Sequence, residues 1–391
     1  MRTDLLMLAP IAASIGLYGL TMAAYFGARR RRADEPLASA PRVSILKPYA
    51  GLDDELAENL ESFARLEYPS WQLLLGVASI DDPALPVLRA FVDAHPELDA
   101  RVVVTDPDAA LNPKVAQLVG LAQASSGTIY VVSDSNVRVK PDYLLGLVGA
   151  LARPGVGLVT SVIAGTGEES IGAALENLQL GAFVAPSIVA AARLMPHRPL
   201  AIGKSMAMRR RDLARLGGFA SVGHVLAEDY LLGKRFRDAG QLVRVFLEPV
   251  ENRNVAGSIR RTFERHSRWT KMRRASTPVG FAFELLLNPL IVTSLAFATA
   301  PTRALALALA AVAVAQMAFA QLALRATRGV ALPWTWAPLE LVRSAMVLAC
   351  WLRAATSRSV LWRGHPFRLG AETSLTPMRP RSRTATASAR A

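Results

Sequence analysis

An uninterrupted apolar run, Leu5 to Ala28, is followed at once by Arg29-Arg30-Arg31-Arg32. A helix of that length can cross a hydrocarbon core of about 30 Å. A cleaved leader would be shorter, with its basic residues ahead of the apolar core. Because the basic block follows here, residues 5–28 read as a transmembrane anchor, with the chain continuing on the cytosolic side. Two further apolar runs come late. Residues 277–299 contain Glu284, Asn288 and Pro289, while residues 304–324 are interrupted only by Gln316 and Gln321. The short link Ala300-Pro301-Thr302-Arg303 joins them into a transmembrane hairpin, residues 277–324. The next run, residues 334–352, carries Glu340 and Arg343 near its middle. Charges at the bilayer centre are costly, so residues 334–370 are expected to form an interfacial or re-entrant helix and a basic segment. The tail, residues 373–391, has almost no apolar content and reads as disordered.

Composition agrees with a membrane protein. The 391 residues are 52% hydrophobic and 19% charged, below the roughly 25% charge of soluble domains. Most of the net charge of +14 lies in two stretches, Arg260–Arg274 and the chain after Leu332, each beside an apolar run. The middle of the chain is near neutral and offers no basic groove, which argues against nucleic acid as a partner. A single cysteine, Cys350, excludes a disulfide framework, and the five histidines show no metal-ligand spacing.

Between Arg42 and Ala275 lie roughly 230 residues, enough for one domain. Short apolar or β-branched runs (Val43–Leu46, Gln72–Val77, Arg101–Thr105, Thr128–Ser133, Gly157–Val162, Ser205–Met208, Leu242–Leu247) alternate with helical patterns. That alternation predicts an α/β domain, residues 42–275, with a mostly parallel sheet covered on both faces. Ligands of such sheets bind beyond the carboxyl ends of the strands. No GxGxxG follows the first strand and no Walker A motif is present, which disfavours a dinucleotide fold or a P-loop NTPase.

Acidic groups fall at two of those strand ends, Asp81-Asp82-Pro83 and Asp134-Ser135-Asn136, and a third, Glu228-Asp229, opens a helical pattern after a Gly-rich stretch. Taken singly, each has a bland explanation, as a helix cap or as turn chemistry. The Arg265-His266-Ser267-Arg268-Trp269 cluster could likewise be an interfacial anchor. Together they describe one crevice. Hard oxygen ligands suit Mg²⁺ or Mn²⁺, and arginines can hold a diphosphate in a bidentate fork. The combination suits a nucleotide-sugar.

With these residues the chain resembles the ceramide glucosyltransferases, glycosyltransferase family 21, whose mark is three separated aspartates and an RxxRW motif. Val43-Ser44-Ile45-Leu46-Lys47-Pro48, Asn59-Leu60-Glu61-Ser62-Phe63, Tyr68-Pro69, Asn112-Pro113-Lys114 and Arg268-Trp269-Thr270-Lys271 carry the likeness. The resemblance implies a GT-A, Rossmann-like cytosolic domain inserted between transmembrane helices. It also implies an inverting transfer of a hexose, glucose first, from a UDP-sugar to the hydroxyl of a membrane lipid such as ceramide. In that reading Lys47 and Pro48 shape the nucleotide pocket, Asp82 holds the uracil or ribose, and Lys114 lies near the diphosphate. Asp134 ligates a divalent cation and Asp229 is the general base. Arg265, Arg268 and Trp269 close the site. Asn136 stands where a second acid would be, and the segment Leu178–Met195 lacks the His-Pro pair of eukaryotic members. That segment reads either as a core helix or as an amphipathic element admitting the lipid. UDP-N-acetylglucosamine with a hopanoid is the alternative substrate pair, and an inactive membrane scaffold the remote one. The Ala/Arg-rich composition points to a bacterial inner membrane.

Overall fold

The computed structural model describes residues 2–29, 39–362 and 364–378. Arg30–Arg32 of the basic block, and most of the expected tail, lie outside these residues. Helix α1 (Arg2–Arg29) leads to the α/β domain. Its strands and helices are β1 (Val43–Pro48), α2 (Leu56–Ala64), β2 (Trp71–Val77), α3 (Leu85–Ala94), β3 (Ala100–Val104), α4 (Pro113–Ala124), β4 (Ile129–Ser133), β5 (Val137–Arg138), α5 (Tyr143–Ala152) and β6 (Val156–Thr166). They continue through α6 (Ile171–Gln179), α7 (Ala185–Leu194), β7 (Ser205–Arg209), α8 (Arg210–Arg215), α9 (Glu228–Asp238), β8 (Leu242–Arg253) and α10 (Ile259–Ser276).

The strands form one sheet in the order β3-β2-β1-β4-β7-β6-β8-β5. β3, β2, β1 and β4 run parallel, as do β6 and β8, while β7 is antiparallel to both its neighbours. β1 and β4 are buried at every position, as continuous apolar strands must be when both faces are covered. Phe63, Leu88 and Leu147 of α2, α3 and α5 pack one face. Val115, Leu118, Leu232 and Phe236 of α4 and α9 pack the other.

After the domain come α11 (Pro278–Phe283), α12 (Pro289–Thr299), α13 (Arg303–Arg328) and α14 (Leu339–Thr356). Leu8–Ala28 and Arg303–Arg328 are long and apolar enough to cross a membrane. The first arm of the expected hairpin is not straight. Pro278–Leu287 and Pro289–Thr299 meet at 78°, where Asn288 caps α12 and Pro289 has no N–H to continue a helix. In α14, Glu340 and Arg343 are buried and bond to each other. Gln316 donates to Glu340 at 2.6 Å and Arg343 donates to Gln179. The charges that made this run look unlike a span thus face protein, not lipid.

The segment Leu178–Met195 packs into the core over most of its length, while Leu194 and Met195 at its end are exposed. Ile171–Leu194 also has the length and apolarity of a span, but it is largely buried inside the protein. Leu178, Ala182 and Val189 pack among α1, β6 and α13. A π-helical turn, Leu180–Val184, separates α6 from α7.

The expected disorder from Thr373 onward does not extend over residues 373–378. Strands β9 (Ser359–Trp362), β10 (His365–Leu369) and β11 (Leu375–Pro377) form a small antiparallel sheet. Val360, Phe367, Leu369 and Leu375 pack on Leu226, just before α9.

Candidate active site

The carboxyl ends of β1 and β4, the approach to β7, the first turn of α9 and one face of α10 enclose a cavity of about 450 Å³. Each wall has a local cause. Asn112 caps α4 by accepting the Lys114 N–H at 3.0 Å, and Pro113 at the first helical position needs no donor. This aims Lys114 inward, where its ammonium reaches Asp134 Oδ1 at 2.8 Å, Glu228 Oε1 at 2.9 Å and the Gly203 carbonyl at 3.0 Å. Burial alone would lower the Lys114 pKa, but the carboxylates outweigh it and raise it above its ordinary value. Asp134, just beyond β4, also meets Lys204 Nζ at 3.1 Å. Burial would raise its pKa, yet Lys114 and Lys204 hold it well below the carboxylate range.

Asp229 lies in the first turn of α9. It accepts the N–H of Gly203 at 2.7 Å and of Tyr230 at 2.8 Å. Burial, and next the charge of Glu228, push its carboxyl up to about 6. A half-buried carboxylate poised there suits a general base. A Cβ at Gly203 would lie 2.8 Å from Lys114 Nζ and 3.2 Å from Asp229 Oδ2, so any side chain there would displace the Lys114 ammonium from its partners.

On α10 the helical period places Arg265, Arg268, Trp269, Met272 and Ser276 along the cavity. Arg265 is held by Glu176 at 3.1 Å and by Asn254 at 3.2 Å. The Arg268 guanidinium lies 4.6 Å from the Trp362 ring centre, so β9 supplies part of the wall. From Asp229 the cavity extends to Thr277, where α11 begins, beside Ile163, Leu180 and Val184.

The family model for glycosyl transferase family 21 matches residues 6–375. The chain belongs to that family. Ceramide glucosyltransferase 1 of Caenorhabditis elegans is 28% identical over 245 residues, covering 62% of this chain and 52% of the relative. Ceramide glucosyltransferase 3 of the same species is 29% identical over 254 residues, covering 65% and 54%. The chain spans about half the length of these curated relatives. A mannosyltransferase from Pyrobaculum calidifontis, solved in complex with GDP-Man and Mn²⁺, aligns with a TM-score of 0.50 at 19% identity over 90% of this chain and 98% of that one. That likeness supports the GT-A fold.

Of the residues expected in this family 21 site, Pro48, Lys114, Asp134, Asp229, Arg265, Arg268 and Trp269 line one cavity. Lys47 and Asp82 are not among its lining residues. Lys47 is fully buried behind the wall, donating to the Asp134 carbonyl at 2.6 Å and lying 4.3 Å from the Phe63 ring centre. Burial pushes its ammonium down to about 7. Asp82 accepts the N–H groups of Gly51 at 3.1 Å and Ala84 at 2.9 Å, and so ties the β1–α2 loop to the start of α3. Sequence reasoning missed Lys204 and Trp362. The Gly-Lys-Ser leading into β7 was a usable signal for the first, and β9 had none.

Among the described residues no group of three or more His, Cys, Asp or Glu is placed to hold a metal. Asp134 and the Asn136 amide oxygen do offer hard oxygens in the cavity. They fit a cation such as Mg²⁺ that takes its remaining ligands from donor phosphates.

Proposed function

We propose that this chain transfers a hexose, glucose first, from a UDP-sugar to the hydroxyl of a membrane lipid such as ceramide, with inversion at the anomeric carbon. The observation that carries the reading is Asp229. A carboxylate with its pKa near 6 shares a cavity with a lysine-bound acidic centre at Asp134. From there the cavity extends to the start of the apolar helices. The acceptor oxygen forms a bond to the anomeric carbon as the bond to the diphosphate breaks. The acceptor proton passes to Asp229, and UDP leaves with the bonding electrons. One base on the acceptor side suffices for a single displacement.

Lys114, Arg265 and Arg268 supply fixed positive charge for the departing diphosphate. Asp134 and Asn136 would hold a divalent cation, which contributes charge neutralisation at the phosphates. Trp269 lines the acceptor side with Leu180 and Val184. The catalytic domain is assigned to the cytosolic face of a bacterial inner membrane.

The test is a product assay on membranes containing the protein. Labelled UDP-glucose, UDP-galactose or UDP-N-acetylglucosamine is supplied with ceramide, diacylglycerol or a hopanoid polyol, with and without EDTA. Metal-dependent transfer of glucose to ceramide is the expected result. Label appearing only in the hopanoid or diacylglycerol replaces the acceptor, and transfer to no lipid overturns the reading.

A further inference from the structure

We propose that Lys204 is a diphosphate-binding residue that occupies the cation position until the donor arrives. The inference rests on the nucleotide-sugar reading above and deepens it. Lys204 lines the cavity, and its ammonium lies 2.7 Å from Asn136 Oδ1 and 3.1 Å from Asp134 Oδ2. Those are the two side-chain oxygens that a divalent cation at Asp134 would use. A cation and the Lys204 ammonium therefore compete for the same ligands.

The two lysines on Asp134 differ in what they can do next. Lys114 has three oxygen partners, at 2.8, 2.9 and 3.0 Å. An ammonium has three donors, so Lys114 cannot take a phosphate oxygen without giving one up, and it stays as scaffold. Lys204 sits on the two-residue approach to β7, and its two side-chain partners are the atoms a cation would claim. Its long flexible stem carries a compact point charge of the kind that binds phosphate. When the donor brings its diphosphate, Lys204 turns to a phosphate oxygen and so releases Asp134 and Asn136, which would then be free to hold a cation. Without the donor, Lys204 gives the half-buried Asp134 carboxylate a second charged partner besides Lys114.

The reading predicts opposite effects on two ligands. In Lys204→Met, UDP affinity in EDTA falls about tenfold or more, as for loss of one charge-assisted contact. Mn²⁺ alone, without nucleotide, binds the variant more tightly because the competing ammonium is gone. Lys204→Arg restores UDP affinity in EDTA. UDP binding is measured by calorimetry and Mn²⁺ by its paramagnetic resonance signal, on the detergent-solubilised full chain, with thermal melting to confirm that each variant is folded. Unchanged UDP affinity in folded Lys204→Met, or unchanged Mn²⁺ affinity, overturns the Lys204 assignment alone. If the wild-type chain binds UDP neither with nor without cation, the donor reading itself falls, and this inference with it.

Discussion

Two regions hold the turn that carries Asp229, one from the middle of the chain and one from near its C-terminal end. On the donor side, the approach to β7 gives Asp229 a backbone hydrogen bond from Gly203, and α4 sends Lys114 to Glu228. On the other side, the small C-terminal sheet receives the segment just before α9. The Thr373 carbonyl accepts the Leu226 N–H and the Thr373 hydroxyl accepts the Ala227 N–H, both at 3.0 Å. The donor side is a set of charged groups on buried strand ends. The C-terminal side holds the turn itself through backbone and one hydroxyl, pairs Glu372 with Lys234 farther along α9, and lends Trp362 to the cavity wall. The contrast separates chemistry from placement.

The largest effect should come from removing the chemistry. Asp229→Asn is expected to lower the transfer rate by about 10²–10⁴ while UDP affinity changes little. The amide relieves the cost of ionising this carboxyl in the folded chain but can accept only one of the two backbone N–H groups that Asp229 now accepts, so thermal melting is measured alongside to confirm that the variant is folded. Near-normal turnover would mean that Asp229 is not the base. Next comes loss of placement. Phe367 is fully buried in the C-terminal sheet, and Phe→Ala in a core costs about 3–5 kcal/mol. Phe367→Ala should therefore detach that sheet and cut the turnover number more than tenfold, with UDP affinity retained. Wild-type turnover in a variant shown by limited proteolysis to have a loosened C-terminus would make the sheet a passive appendage.

The donor side was legible because its signals are local. Asn112-Pro113-Lys114 announces a capped helix start with a lysine in its first turn, and continuous apolar strands announce a doubly covered sheet. Those rules need only neighbouring residues. The C-terminal sheet was not legible. β9, β10 and β11 are short and mix arginine, histidine and proline with their apolar residues, and their partner, Leu226, lies far back along the chain. The buried Glu340–Arg343 pair was hidden for the same reason, since Gln316 and Gln179, which make the charges tolerable, come from other helices. Lys204 falls between. The sequence showed a lysine entering a strand, but only the fold brings it to Asp134. The kink at Asn288-Pro289 was visible as a pair of weakening residues, though not as a bend.

The pH dependence sharpens the chemical half. Asp229 must be ionised to accept a proton, and burial beside Glu228 brings its pKa up to about 6. Turnover should be flat above that value and fall about tenfold for each pH unit below it. In Glu228→Gln the like charge is gone, so the acid limb should move to lower pH even if the plateau drops through loss of the Lys114 pair. A limb that stays in place would show that burial alone sets the Asp229 pKa.

The smallest effect tests whether placement reaches the base through one hydrogen bond. Glu372 and Thr373 both adopt left-handed backbone, with φ of 50° and 64°, a conformation that costs about 1–3 kcal/mol for a side-chain-bearing residue. The hydrogen bonds to Leu226 and Ala227 help to hold Thr373 there. Thr373→Val keeps the shape but leaves the Ala227 N–H without its partner, worth about 1–3 kcal/mol for a buried donor. A few-fold loss of turnover with unchanged UDP affinity is expected, together with a shifted acid limb as Asp229 moves relative to Gly203. Thr373→Ser, which keeps the hydroxyl, should behave as wild type. If Val and Ser variants share one pH profile, the hydroxyl only stabilises the sheet, and the Asp229 turn is positioned from the donor side alone.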